Sequence, residues 1–213
     1  MANDVDLWRV VEATFECSAP TVAQVPGADR PEFAIAGRSN VGKSSLLNAL
    51  CGRSGLARVS SSPGRTRLLN VFTWTLVGPN AQRLNVRGVD LPGYGFAAVD
   101  RRTRESFGDM VENYLLQRPS LVVLLVLLDA RRGVDVRDHD LLEFIQRRSL
   151  GVLVVGTKAD KLTASERGLW VGKIAEDLGI PRTSVHLSSA KTGIGIRGQR
   201  GVVDALARYL APS

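Results

Sequence analysis

Gly37-Arg38-Ser39-Asn40-Val41-Gly42-Lys43-Ser44 decides the fold, because this stretch fits the P-loop pattern G-x-x-x-x-G-K-[ST]. The apolar run Phe33–Ala36 before it predicts a buried strand. Ser45–Leu50 after it predicts a helix that begins where the loop ends. A strand, a glycine-rich loop and a helix in this order predict the phosphate-binding corner of an α/β domain.

The P-loop would supply what the phosphates of a nucleotide need. Gly37 and Gly42 let the backbone turn tightly, so that its N–H groups can surround phosphates beside the positive end of the helix. Lys43 would reach the β- and γ-phosphates and act in catalysis, and the Ser44 hydroxyl would ligate Mg²⁺. We expect all of residues 37–44 to contact the nucleotide.

A second motif predicts which base is bound. Thr157-Lys158-Ala159-Asp160 follows the apolar run Gly151–Gly156, at the end of a strand where ligands of α/β sheets bind. The Asp160 carboxylate can accept the N1–H and N2 hydrogens of guanine, whereas adenine would leave it unpaired. The stem of Lys158 can lie along the base. In Ser188-Ser189-Ala190, backbone N–H groups near Ser189 and Ala190 can meet guanine O6.

Two further segments predict a switch. Asp90-Leu91-Pro92-Gly93 follows the strand-like run Leu84–Val89, so that Asp90 could hold Mg²⁺ through a water. Gly93 could bring its N–H close to the γ-phosphate, because it has no side chain. The third nucleotide-binding segment is predicted in and just after the polar loop Arg53–Arg67, and it comprises Gly64, Arg65, Thr66, Arg67 and Leu68.

Thr66 is the residue of that loop with a predicted role in chemistry. Its hydroxyl could become a second ligand of Mg²⁺ only when the γ-phosphate and the metal are in place. Loss of the γ-phosphate would then release the loop, as in the switch of GTPases. A loop rich in Ser, Pro and Gly can also be a simple linker, and that interpretation stays open here.

The rest of the chain alternates strands with helices and predicts one α/β domain. We expect a three-layer P-loop NTPase of the Ras-like G-domain type, with helices on both faces of a mostly parallel sheet. Leu68–Val77 turning into Leu84–Val89 predicts one antiparallel edge strand. Residues 1–30 are interpreted as a lead-in extension, and residues 31–213 as the G domain.

Composition favours a cytoplasmic protein with a polyanionic partner. The 213 residues carry a formal net charge of +7, which suits RNA, although basic surfaces also occur without nucleic acid. The run Leu121–Leu128 is too short to span a membrane, and we see no signal peptide. We expect a monomer without membrane or DNA contacts.

Three of these stretches together resemble the EngB (YihA/YsxC) family of bacterial GTPases, in the TrmE-Era-EngA-EngB-septin-like group. They are Gly37–Leu50, Ser62–Thr66 and Asp90–Ala97, and Asp-Leu-Pro-Gly-Tyr-Gly in the last is the discriminating part. The resemblance covers the chain from about Pro31 onward. It implies GTP and GDP as ligands, a role in assembly of the large ribosomal subunit, and a need in normal cell division and septation.

The resemblance also implies a partner, namely the large ribosomal subunit or its precursor with its rRNA and ribosomal proteins. The positive charge gives a physical means of holding rRNA. Candidate phosphate contacts are the basic residues that follow the switch and the guanine loop: Arg101, Arg102, Arg104, Arg197 and Arg200. For any single arginine, a role as a solvated surface residue stays open.

Hydrolysis is expected to be slow. Tyr94 stands where Ras-like GTPases place the glutamine that positions water, and tyrosine cannot replace that amide. Asn40 matches the P-loop asparagine that coordinates K⁺ in several related GTPases, so K⁺ could accelerate turnover; Asn40 could equally brace the loop. The alternatives to a slow GTPase are a GTP-binding scaffold with negligible hydrolysis and, with less support, a P-loop ATPase or kinase.

Overall fold

The computed structural model describes residues 7–57, 68–93, 101–146, 148 and 150–211, and only the backbone of residues 101–108 and 146. Seven strands within these ranges form one sheet: β1 (Arg9–Ala19), β2 (Glu32–Gly37), β3 (Leu69–Val77), β4 (Arg83–Asp90), β5 (Leu121–Asp129), β6 (Gly151–Thr157) and β7 (Val185–Leu187). Their order across the sheet is β1-β3-β4-β2-β5-β6-β7.

Five α-helices cover the two faces of this sheet. They are α1 (Lys43–Cys51), α2 (Arg101–Gln117), α3 (Val136–Gln146), α4 (Ala164–Leu178) and α5 (Val202–Leu210). Buried side chains of α1 and α5 pack in one core cluster with Phe33 and Ile35 of β2. Those of α2, α3 and α4 pack in a second cluster with Ala34 and Ala36 of the same strand. Because successive side chains of a strand point to opposite faces, β2 contributes to both cores. The predicted three-layer α/β fold is confirmed.

The sheet is parallel from β4 through β2, β5 and β6 to β7, and β3 runs antiparallel to both of its neighbours. The antiparallel strand was predicted correctly, but its place at the edge was wrong. β1 pairs along the outer side of β3, so β1 is the strand at this edge of the sheet. The division of the chain at residue 30 stays a prediction, and the structure adds a sheet strand within the first thirty residues.

A buried ionic network joins the starts of the central strands. Glu32, the first residue of β2, is fully buried and accepts hydrogen bonds from Tyr114 Oη (3.1 Å), Arg87 Nη1 (3.1 Å) and Arg118 Nη2 (2.6 Å). Arg87 also donates to Glu16 of β1 at 3.1 Å. The network lies at the opposite end of β2 from the P-loop, so it ties α2 and β1 to the sheet without touching the phosphate-binding corner.

Among the helices that the structure describes, none is both long and apolar enough to cross a membrane.

Candidate nucleotide-binding site

The P-loop occupies residues 38–42, between the end of β2 and the start of α1. Gly42 precedes α1 with φ 113°, a left-handed conformation that favours glycine, and its carbonyl accepts from Leu46 N at 2.9 Å. Asn40 is also left-handed, with φ 61°, which asparagine tolerates better than most residues. The loop therefore curls around the N-terminus of α1, where backbone N–H groups have no partner inside the helix.

The side chain of Thr157, the last residue of β6, contacts the backbone of the P-loop. Its buried hydroxyl lies 2.6 Å from the Val41 carbonyl and 3.1 Å from the Leu128 carbonyl. Val41 itself points into the core, with 3% of its surface exposed. Thr157 and Val41 are joined in supporting the loop backbone, and their predicted contacts with nucleotide stay predictions.

Asp90 is a buried carboxylate with an unmet hydrogen-bonding need. It ends β4 with 5% of its surface exposed, and its Oδ1 has no hydrogen-bond partner among the described residues. Burial raises the pKa of this carboxyl to about 6, and the nearby Lys43 ammonium opposes the shift. A buried acceptor beside a lysine at the mouth of the P-loop has the chemistry of a site for a hydrated cation.

Gly93 lies against the phosphate side of the loop. A Cβ atom on this residue would be 3.1 Å from Lys43 Nζ and 3.3 Å from Ser39 N. A larger side chain here would press against the P-loop unless Lys43 or Ser39 shifted by a few tenths of an ångström. Leu91 and Pro92, which lead to it, are buried, and Leu91 N donates to Ile35 O at 3.0 Å. This pairing holds the Asp90–Gly93 segment in front of the P-loop.

The Asp160 carboxylate is oriented by Ser189, which lies in the loop after β7. Ser189 Oγ donates to Asp160 Oδ1 at 2.6 Å, and this bond lowers the pKa of the carboxyl below its ordinary value. Ala159 N donates to Ser188 O at 2.9 Å, and Ser188 N donates to Gly156 O at 2.7 Å. The two predicted base-binding segments therefore meet, with an ionised carboxylate held between them.

Lys158 bridges the base-binding segment to the P-loop. Its Nζ donates to the Asn40 carbonyl at 2.8 Å and to Asp129 Oδ2 at 2.9 Å. Asp129 also binds Arg131 Nη2 at 2.6 Å, and these partners, Arg131 first, hold the pKa of Asp129 well below its ordinary value. The Lys158 stem is thus stretched along the side of the site where a base would lie.

One predicted donor is already used. Ser189 N donates to Ile194 O at 2.9 Å, so among the N–H groups predicted near Ser189 and Ala190 this one is engaged within the loop. The neighbouring Ala190 N–H makes no hydrogen bond with the part of the chain that the structure describes. Ala190 therefore remains the candidate donor, and Ser189 serves the site through its hydroxyl.

These segments enclose a cavity of about 750 Å³. It extends from the P-loop and the start of α1 to the base-binding segments, and its wall includes Gly42, Ser45, Thr157, Lys158, Asp160, Ser188 and Ala190. Its volume is in the ordinary range for a small-molecule pocket. The two base-binding segments and Gly42, the last residue of the P-loop, thus share this cavity.

Sequence comparison relates this pocket to known GTPases. The model of a family described as "50S ribosome-binding GTPase" matches residues 32–158. Two proteins named probable GTP-binding protein EngB are 42% identical over 184 residues in Geobacter metallireducens and 40% identical over 201 residues in Heliobacterium modesticaldum. The first match covers 85% of each chain, and the second covers 93% of this chain and 92% of the relative.

This chain belongs to the EngB family. As an EngB-family protein it binds guanine nucleotide and hydrolyses GTP. Solved structures agree with the fold. Era in complex with MgGDPNP and nucleotides 1506–1542 of 16S ribosomal RNA matches with a TM-score of 0.68 at 26% identity, over 86% of this chain. The EngB-family chain spans 57% of that Era chain. A probable GTP-binding protein EngB matches with a TM-score of 0.58 at 21% identity, over 84% of this chain and 95% of its own.

The EngB-family site contains functional residues that sequence reasoning missed. Asp129 anchors Lys158, and Asp135 binds the P-loop residue Arg38 at 3.0 Å, which turns the Arg38 guanidinium toward the segment after β5. The available signal was that the apolar run of β5 ends at an aspartate on the ligand-binding edge of the sheet. The apolar residues of β5 do not indicate which side chains the Asp129 carboxylate would contact.

Some predicted residues of this EngB-family enzyme lie outside the described ranges. These are Gly64, Arg65, Thr66 and Arg67 of the first switch loop, and Tyr94 after Gly93. Leu68 is described and stands half-buried just before β3. Their roles stay predictions, as do the side-chain contacts of Arg101, Arg102 and Arg104.

Proposed function

We propose that this EngB-family GTPase is a slow nucleotide switch in assembly of the large ribosomal subunit. The observation that carries the switch is the close approach of Gly93 to Lys43 Nζ and Ser39 N, directly after the buried Asp90. A γ-phosphate seated on the P-loop would meet the Gly93 N–H and hold this segment. GDP lacks that group, so the contact at Gly93 would form only in the triphosphate state.

Mg²⁺ fits the residues at the phosphate side. The buried Asp90 Oδ1 has no hydrogen-bond partner among the residues that the structure describes, and Ser44 follows Lys43, the first residue of α1. Ser44 and Asp90 would hold the ion, with Thr66 as the predicted ligand from the first switch. When bound, Mg²⁺ neutralises charge on the phosphate oxygens.

The P-loop, Tyr94 and Asn40 determine how fast GTP is hydrolysed. Water attacks the γ-phosphorus, the bond to the β–γ bridging oxygen breaks, and GDP and phosphate leave with the protons of the water. Lys43 and the P-loop N–H groups stabilise the charge that develops on the phosphates. Tyr94 cannot orient the water as glutamine does, so intrinsic turnover is slow. K⁺ beside the exposed Asn40 would supply further positive charge.

Three observations support a ribosomal partner. The chain has a formal net charge of +7. The family model that matches it describes 50S ribosome-binding GTPases. Era, which shares its fold at 26% identity, has been crystallised with a fragment of 16S ribosomal RNA. We infer that this chain acts as a monomer in the cytoplasm on the large subunit or its precursor, and that cell division and septation need it for that reason.

Nucleotide-dependent co-sedimentation with purified large ribosomal subunits tests this function. The protein is incubated with a non-hydrolysable GTP analogue or with GDP over a salt series. We expect tighter association in the triphosphate state and a steep loss as salt rises, since each phosphate contact adds a slope of about −0.7 to −0.9 in log K against log salt. Association that ignores both nucleotide and salt would contradict the switch.

A further inference from the structure

A second groove of about 1100 Å³ lies at the edge of the sheet beside β7, apart from the nucleotide pocket. The turn before β7, β7 itself and one side of α5 line it. Among the described strands, β7 pairs only with β6. It is therefore an edge strand, and its residues form part of the groove wall. The groove has no part in the site described above.

Basic side chains dominate the charge of this groove. Arg182, Arg200 and Arg208 line it, and all three are exposed. Asp204 is the acidic residue in its wall, and it is buried and bound to Arg208 Nη2 at 2.8 Å. Arg182 and Arg200 form no ion pair with any residue that the structure describes. The groove therefore presents a net positive surface with two uncommitted guanidinium groups.

The position of Arg200 is fixed by its backbone. His186 Nδ1 donates to the Arg200 carbonyl at 3.2 Å, which joins the loop to β7. Further along the same loop, Gly201 N donates to Gly198 O at 2.8 Å and Val202 N donates to Gly195 O at 2.9 Å. A guanidinium on an anchored loop loses less freedom when it binds than one on a free chain.

We propose that this groove binds the phosphate backbone of ribosomal RNA, through Arg182, Arg200 and Arg208. The proposal deepens the proposed function by naming the RNA-contacting surface, and it rests on that function. Guanidinium groups bind phosphate oxygens in pairs of hydrogen bonds, and the uncommitted guanidinium groups of Arg182 and Arg200 can offer such pairs. Charge complementarity selects RNA over an apolar partner. Of the arginines that the sequence suggested, Arg200 belongs to this surface, whereas Arg197 lies beside Gly52 at the end of α1.

The test uses the double variant Arg182→Gln/Arg200→Gln and a control of equal charge. Arg83→Gln/Arg132→Gln removes two exposed arginines that lie outside the groove wall, one on β4 and one just after β5. Both variants and the wild type are checked for unchanged GDP affinity. Each is then titrated, over a salt series, against protein-free ribosomal RNA extracted from purified large subunits, and separately against the intact subunits.

We expect the groove variant to lose about 0.7 to 0.9 of the salt slope on free RNA for each phosphate contact removed, and the control variant to keep the wild-type slope. Equal slopes for the two variants, or no binding of free RNA by the wild type, would overturn the proposal. Loss of binding to intact subunits alone would mean that the groove contacts a ribosomal protein, which also overturns it. If the wild type binds free RNA through the groove but does not bind the subunit, the ribosomal function fails and the groove assignment stands.

Discussion

Lys158 Nζ donates to the carbonyl of Asn40 at 2.8 Å, so a contact within the chain itself ties the base-binding segment to the P-loop. Thr157 Oγ1 makes a parallel connection to the Val41 carbonyl at 2.6 Å. A site that is already assembled loses less conformational freedom on binding. We infer that the guanine half and the phosphate half of the pocket are positioned together by residues 157 and 158.

Asp129→Ala tests the anchor of Lys158. Removal of the carboxylate takes one of two acceptors from the Lys158 ammonium, and a hydrogen bond to a charged group contributes about 1.5–3 kcal/mol. We expect the affinities for GTP and GDP to fall by a similar factor, about tenfold, because both share the base. Fluorescence titration with each nucleotide measures this, and Asp140→Ala, an exposed carboxylate of α3, is the matched control. A loss confined to GTP would place the effect at the γ-phosphate instead.

Asp90→Asn is expected to separate stability from function. Burial raises the pKa of the Asp90 carboxyl to about 6, so keeping it ionised at neutral pH opposes folding. The uncharged amide should therefore raise the unfolding free energy of the nucleotide-free form, while the gain in GTP affinity on adding Mg²⁺ should be lost. Urea unfolding and Mg²⁺-dependent titration give the two values. A destabilised variant that keeps its Mg²⁺ dependence would remove Asp90 from the metal site.

Potassium dependence can be assigned to the Asn40 side chain with two variants. Asn40→Gly keeps the left-handed backbone at φ 61° without strain, whereas Asn40→Ala adds a strain of about 1–2 kcal/mol. We expect the wild type to release phosphate faster in KCl than in NaCl, and Asn40→Gly to lose that difference while keeping GDP affinity. If Asn40→Gly retains the K⁺ effect, the amide does not hold the ion.

Glu32→Gln should destabilise the fold and spare the pocket. The substitution removes the charge that Arg87 and Arg118 surround, and disruption of a buried ion pair costs about 3–5 kcal/mol. Chemical denaturation should show this loss, and Glu12→Gln, at an exposed position of β1, should change little. GDP affinity of the folded variant should match the wild type, because Glu32 lies at the far end of β2. A decrease of less than about 1 kcal/mol in the free energy of unfolding would mean that this ionic network contributes little to stability.

The sequence predicted most of this fold because its motifs lie at strand ends. The P-loop pattern between an apolar run and a helix placed β2 and α1, and the run before Thr157 placed β6. The edge strand β1 escaped prediction for a physical reason. Its register against β3 shifts between Val10 and Glu12 and again between Phe15 and Cys17, so apolar residues do not alternate regularly along it.

The site was predictable as a set of residues but not as a set of contacts. Asp160 and Lys158 were recognisable from their motif, whereas the roles of Asp129 and of Ser189 Oγ depend on which strands are neighbours. Pairing of β5 with β6 brings Asp129 opposite Thr157. Such proximity between distant parts of the chain is a property of the sheet order, which no local pattern contains.

The central claim is that Asp160 reads guanine in a pocket already assembled for it, and nucleotide titration of Asp160→Asn tests this most directly. The wild type should bind GTP and reject xanthosine triphosphate. In the variant the amide can donate to the xanthine O2 but cannot accept both guanine hydrogens, so we expect the preference to reverse. GTP affinity that is unchanged in Asp160→Asn would contradict the account, because it would remove Asp160 from the base-binding pocket.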